Sequence, residues 1–138
     1  MTVATRKAAA GKADRLWSLI VRSRGRCQYP GCDYVCSCEN APRSHTIDCR
    51  LDAAHIIRRG AGNWTRTDED NGLCMCKTHH WTIDNYADEM MMVIDATIGR
   101  SAYDDLRQAA NIGVNRKMDW LTELDRLKVL WLQIGGDL

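Results

Sequence analysis

The chain has no run of 18 apolar residues, so no membrane-spanning helix is expected. Its first residues are rich in Lys, Arg and Ala without an apolar core segment, so no secretory signal peptide is expected and a cytoplasmic location follows. Internal repeats and low-complexity tracts are also missing, which excludes repeat arrays and disordered linkers. Net charge is only +1, so no large uniform field marks a partner. That near-balance hides an asymmetry: residues 1–80 carry 13 Lys/Arg against 8 Asp/Glu, and residues 81–138 carry 6 against 10. A basic half suits a polyanionic partner, but a charge run is also an ordinary solvated face, and the balance alone decides nothing.

What the chain does have is cysteine, seven in 138 residues. The length fits one domain with a real core. In a reducing cytosol clustered cysteines hold metal more often than they form disulfides, and an odd count argues against a purely disulfide framework.

Residues 8–24 are predicted to form a helix, with Leu16, Trp17, Leu19, Ile20 and Val21 making an apolar stripe beside Arg15, Arg22 and Arg24, and Gly25 ending it. CQYPGC (27–32) holds a Pro-Gly turn between two cysteines. Asp33–Cys38 and Thr46–Leu51 are expected as strands of a hairpin joined by the turn Asn40–Ser44. A short strand over 51–57 leads into a Gly-rich loop, Gly60–Gly62, and a short helix is expected across 76–86, initiated by Asp70 or Asn71. Three helices are expected after it: about 87–98, stopped by Gly99; Ser101, as N-cap, to about Asn111; and about 117–134, carrying Trp120, Leu121, Leu124, Leu127 and Trp131 as a core stripe.

Two short pairs stand far apart in sequence. Four residues separate Cys27 from Cys32, and two separate Cys76 from His79. Tetrahedral zinc takes four such ligands at roughly 2.0–2.3 Å, and short loops supply two each, so the pairs read as a structural zinc site of three thiolates and one imidazole. Such an ion adds folding energy to irregular central loops. The alternative is that the thiols are small buried hydrophobes. Cys36, Cys38, Cys49 and His45 form a second cluster, which holds another zinc, replaces a ligand of the first, or packs in the hairpin. Cys74 is expected to be a core thiol.

The stretch LDAAHIIRRGAGNWTRTDEDNGLCMCKTHHWTID (51–84) carries the remaining chemistry. A lone strand histidine such as His55 is commonly a satisfied core residue. Here Asn71 follows it 16 residues on, His80 nine further and Asp84 four beyond that, across a loop rich in Arg, Gly and Asp unlike a core connection. His80 and Asp84, one turn apart on a helix, make a sparse site for a divalent cation with positions open to water and phosphate. A cap or a surface ion pair is the alternative for Asp84. Arg58, Arg59 and Arg66 flank the loop as phosphate clamps or ordinary loop charges. Trp64 and Trp81 are candidates for base stacking, with core packing favoured for Trp81.

AAHI (53–56), DNGL (70–73) and CMCKTHH (74–80) together resemble the HNH endonucleases, the ββα-metal nuclease superfamily, closely over about residues 27–84. The basic N-terminal helix and the trailing helices, including GRSAYDDL (99–106), are similar to small phage-encoded HNH proteins. The resemblance implies an α+β fold: a zinc-stabilised ββα-metal core at 27–86, a basic N-terminal helix at 1–26 and a helical C-terminal extension at 87–138, all one domain. It implies that His55 is the general base, that Asn71 braces the loop so that the base is oriented, and that His80 is a ligand of the catalytic Mg²⁺, Mn²⁺ or Ni²⁺. It matches Cys27, Cys32, Cys76 and His79 to the structural zinc, with histidine in place of the usual fourth cysteine. It implies DNA as substrate, cut or nicked; little base specificity is expected because no recognition helix or repeat suggests a long sequence target. It also implies a role in phage DNA processing, beside other phage proteins and in the host cytoplasm. The oligomeric state is not legible.

One residue departs from the family pattern. Many members carry Asp or His before the base, where it binds the metal; Ala54 stands there in this chain. Asp84 or Asp52 takes over, or the metal site is weak. A non-catalytic zinc-stabilised nucleic-acid-binding module is the alternative function, and a zinc protein that binds another protein through its acidic helical half is a third.

Overall fold

The N-terminal helix begins well before its apolar stripe requires. In the computed structural model, which describes residues 2–35 and 50–137, α1 spans Val3–Arg22. The Thr2 side chain caps it by accepting from the Thr5 N–H at 3.1 Å, and Ala8, Ala9 and Ala10 carry it forward at little entropic cost. Its buried side, Ala9, Ala13, Leu16, Trp17, Ile20 and Val21, follows helical spacing.

The CQYPGC segment then folds as a knuckle. Pro30 and Gly31 occupy the centre of a tight turn closed by Cys32 N–H to Tyr29 C=O at 3.0 Å, and Gly31 sits at φ +82°, where an L side chain is strained. Cys27 N–H donates to Tyr34 C=O, and Val35 makes an isolated bridge to Arg26. The knuckle docks on the sheet through Gln28, whose N–H donates to Cys74 C=O and whose Oε1 accepts from Cys74 N–H, both at 2.8 Å. The expected hairpin over 33–51 and its Asn40–Ser44 turn fall mostly outside the described residues, as do Cys36, Cys38, His45 and Cys49.

Strand β1, Leu51–His55, pairs antiparallel with β2, Gly72–Cys76, in a register running from Leu51 opposite Cys76 to His55 opposite Gly72. The sequence pattern predicts a helix directly after the loop and no strand at β2. The reason is burial: Gly72, Leu73, Cys74 and Met75 are all enclosed, so the strand shows no polar alternation. Cys74 is a core thiol, as expected. Gly72 is set by close approach, since a Cβ there would overlap Val21 Cγ2 and press on Trp17 Cζ2 at 3.0 Å.

Helix α2, Lys77–Asn85, leaves β2 directly, completing a ββα unit with a single-turn 3₁₀ segment at Glu69–Asn71 ahead of β2. Helices α3 (Ala87–Ala96), α4 (Gly99–Gly113) and α5 (Trp120–Gln133) follow. Among the described residues the fold is therefore α+β, with a two-stranded antiparallel sheet. Helix α4 starts two residues ahead of Ser101, and α5 starts after Asp119, whose carboxylate accepts from the Thr122 N–H. Trp120, Leu124, Leu127 and Trp131 of α5 are buried, and α5 packs along α1, which in turn covers the sheet. Trp81 is a correction: it is 60% exposed and meets the Tyr86 ring edge-on instead of packing in the core.

Candidate functional site

Two clusters are built around β2 and α2. The first gathers Cys27 and Cys32 of the knuckle with Cys76 and His79 at the start of α2, their ligand atoms all within 4.8 Å of one another. His79 Nδ1 stands 3.6 Å from Cys27 Sγ and 3.3 Å from Cys76 Sγ. Ligand atoms on a tetrahedral zinc are roughly 3.5–3.8 Å apart, so the donor set fits one such ion. Burial pushes the Cys27 thiol up to about 11, with its bonds toward Cys32 and Cys76 adding to that rise against backbone N–H donors that lower it. An ion arriving there must displace the proton, which couples binding to folding. The imidazole of His79 is held flat against the Tyr29 ring, centroids 3.9 Å apart and planes 2° from parallel, and Tyr29 Oη donates to Glu89 Oε2 at 2.6 Å. Tyr29 thereby fixes the plane of the ring whose Nδ1 meets the sulfurs, a supporting contact with no mark in the sequence.

The second cluster is built on β1, the loop after it, and α2. His55, last residue of β1, has Nε2 at 2.9 Å from the Arg66 carbonyl. A carbonyl only accepts, so Nε2 carries the proton and Nδ1 is left with a bare lone pair. The ring lies on Trp17 of α1, centroids 4.1 Å apart and planes 15° from parallel, while Trp17 Nε1 donates to Asp68 C=O at 2.8 Å. Burial holds the His55 imidazole below its ordinary value, opposed by the Arg66 carbonyl and helped by the nearby Arg59 and Arg66 charges. It is neutral near pH 7, as a base must be.

Asn71 explains why the Arg66 carbonyl stays in place. It is fully buried, and its oxygen and both amide hydrogens are bonded. Oδ1 accepts from Ile57 N–H at 2.6 Å, and Nδ2 donates to Ile57 C=O at 3.1 Å and to Thr65 C=O at 2.9 Å. One side chain therefore pins both ends of the 57–65 loop, and the Thr65 carbonyl it holds is one peptide from the Arg66 carbonyl.

His80, the next residue after His79 on α2, meets two carboxylates. Its Nδ1 is 2.8 Å from Asp52 Oδ2 and its Nε2 is 3.3 Å from Asp84 Oδ2. Partial burial raises the Asp52 carboxyl, but Lys77 and His80 outweigh it and leave the group below its ordinary value. An ionised Asp52 accepts the Nδ1 proton and fixes Nε2 as the free lone pair, beside a carboxylate one turn on. Ligands at about 2.1 Å in an octahedron sit roughly 3.0 Å apart, so Nε2 and Asp84 fit adjacent positions on one hard cation. Ala54, by contrast, is sealed in the core opposite Leu73 and offers nothing.

These groups meet in an open cleft of about 460 Å³ lined by Ala53, His55, Arg58, Arg59, His80, Asp84 and Asn85. Arg58 reaches Asp84 C=O at 3.4 Å, and Arg59, more than half exposed, pairs with Asp14 of α1 at 3.6 Å. Arg66 does not line the cleft. Its guanidinium is nearly enclosed, bound to both Asp14 oxygens and to Asn63, and lies 5.0 Å from the centre of the Trp120 ring. Trp64 is half-buried, its ring under Arg116. The sequence missed Trp17 and Asp14 because both sit on α1, where their spacing reads as core stripe and solvated face.

Residues 32–87 match the model of a family described as HNH endonuclease. No curated protein and no solved structure matches the chain.

Proposed function

With an HNH endonuclease segment at 32–87 as the premise, we propose that the protein is a metal-dependent endonuclease hydrolysing DNA phosphodiester bonds. The observation that carries this reading is one cleft lined together by His55, the His80–Asp84 pair, Arg58 and Arg59.

His55 acts as general base. Nδ1 takes a proton from the attacking water while the Arg66 carbonyl holds Nε2–H and Trp17 holds the ring plane. Asn71 acts at a distance, by locking the loop that carries that carbonyl. His80 and Asp84 hold the divalent cation, and Asp84 takes the place that Ala54 leaves empty of ligands. Asp52 orients His80 from behind. A bound Mg²⁺, Mn²⁺ or Ni²⁺ supplies charge neutralisation at the phosphate and the leaving 3′-oxygen. Arg58 and Arg59 hold non-bridging phosphate oxygens. Arg66, tied to Asp14, serves the loop instead. Zinc at Cys27, Cys32, Cys76 and His79 fixes α2 against the knuckle. No repeat or motif points to a long sequence target, so the enzyme nicks or cuts with little base preference. A place in phage DNA processing rests on the resemblance to phage-encoded HNH proteins.

The test is supercoiled plasmid incubated with Mg²⁺, Mn²⁺ or Ni²⁺ beside a His55→Ala variant. Nicking by the parent alone supports the reading. Ala54 favours one competitor, a non-cleaving zinc-stabilised nucleic-acid-binding module, and equal binding without nicking by both proteins would establish it.

A further inference from the structure

A second cleft, of about 320 Å³, lies at the far end of α1, where the helix start meets the segment between α4 and α5. Arg6 and Lys7 flank Ala10 at helical spacing on one wall; Arg116 and Lys117 form the other, with Asn63 and Trp120 between them. Four cations converge from segments 110 residues apart in sequence, and among the described residues no acidic side chain lines the space. Among the described residues Arg6, Lys7 and Lys117 make no ion pair. The two nearest carboxylates along the chain are engaged elsewhere: Asp119 with the N–H and hydroxyl of Thr122, and Asp14 with Arg59 and Arg66. Arg116 is held in place, its guanidinium 5.4 Å from the centre of the Trp64 ring. Gathering like charges costs free energy unless something anionic neutralises them.

A continuous set of contacts joins this cleft to the catalytic one. Asn63 accepts from Arg66, Arg66 pairs with Asp14, Asp14 pairs with Arg59, and Arg59 lines the His55 cleft. Lys7 and Asp14 are seven residues apart on α1, about 10 Å by helix rise. That distance is about three nucleotide steps of a duplex.

We infer that Arg6, Lys7, Arg116 and Lys117 form a second phosphate-binding groove that grips the nucleic-acid backbone a few nucleotides from the scissile bond. The four cations lie outside the matched segment 32–87, although Asn63 of the groove wall falls within it. The identity of the occupant rests on the nuclease reading above; the demand for a polyanion does not. The groove supplies affinity and register without reading bases.

The experiment uses the full chain and the variant R6Q/K7Q/K117Q, which keeps Arg116 over Trp64, with a thermal melt confirming that both fold. A 20-bp duplex is titrated without added divalent ion, over about 50–200 mM salt. The variant is expected to bind at least about tenfold more weakly, with the salt slope reduced by about 2–3. Its turnover of plasmid at saturating DNA should match the parent. Unchanged affinity and slope would overturn the inference, as would a variant that loses binding to phosphatidylserine vesicles while holding the duplex as before. If the parent leaves plasmid intact with all three metals, yet duplex affinity still depends on the three cations, the nuclease reading fails and the groove stands.

Discussion

Replacing Asn71 with Asp changes almost no volume and therefore isolates the hydrogen bonds. The carboxyl can still accept from the Ile57 N–H, but it loses both donations to the Ile57 and Thr65 carbonyls. The site is fully buried, so an ionised carboxylate facing two carbonyls is strongly disfavoured and the group stays protonated. The protonated form regains one donation and leaves one carbonyl unmet, a loss of about 1–2 kcal/mol. Proton linkage adds to this. The folded-state pKa lies above the unfolded value, so the native state binds more protons and stability falls as pH rises, by up to about 1.4 kcal/mol per unit above roughly pH 4. Together these give a loss of roughly 4 kcal/mol at pH 6, and more at pH 8, until the carboxyl ionises in the fold. For a domain of this size 4 kcal/mol corresponds to a fall in Tm of roughly 10–15 °C. Paired melts of parent and variant in zinc-containing buffer at the two pH values read the difference directly. A variant that trails the parent by the same small margin at both would mean that the amide is solvated and does not clamp the loop.

The remaining expectations concern the base, the zinc and the second metal. The acidic limb of the cleavage rate should lie below the ordinary imidazole range, because burial depresses His55. Trp17→Ala should shift that limb upward, while Trp17→Phe keeps it low; a limb that ignores both changes would refute the stack's role. The same depressed group adds stability above about pH 6.5 that is lost as pH falls toward its folded value, since only the unfolded chain then takes the proton. Cys27→Ser should unfold the centre of the molecule and lose zinc, whereas His55→Ala should melt near the parent and not cleave; full zinc content in the serine variant would show that the ligand set is wrong. Asp52→Asn should weaken Mn²⁺ binding about 10–100-fold by calorimetry through its effect on His80, and an unchanged affinity would exclude Asp52 as its support.

Spacing made part of this legible. Cys27, Cys32, Cys76 and His79 were paired from their intervals alone, and the structure brings their ligand atoms together. His80 and Asp84 share a helix face because four residues make one turn. What stayed hidden depends on contacts between distant segments. Strand β2 shows no alternation since both of its faces are enclosed. Trp17 reads as one more apolar position of an amphipathic helix, and only tertiary packing puts it under an imidazole 38 residues away. Trp81 departs from its expected core position for the same reason: its helix turns that position outward. Asp14 and Arg66, 52 residues apart, carry no mark of their pairing in the sequence.

The placement of Trp17 and Cys27 bears on transplantation. Both precede residue 32, where the family match begins. A fragment excised at that border would carry the histidines of the cleft yet forfeit one of the four clustered ligand side chains and the aromatic ring stacked on His55. Grafting this arrangement onto another scaffold therefore requires the leading helix and the knuckle to travel with it.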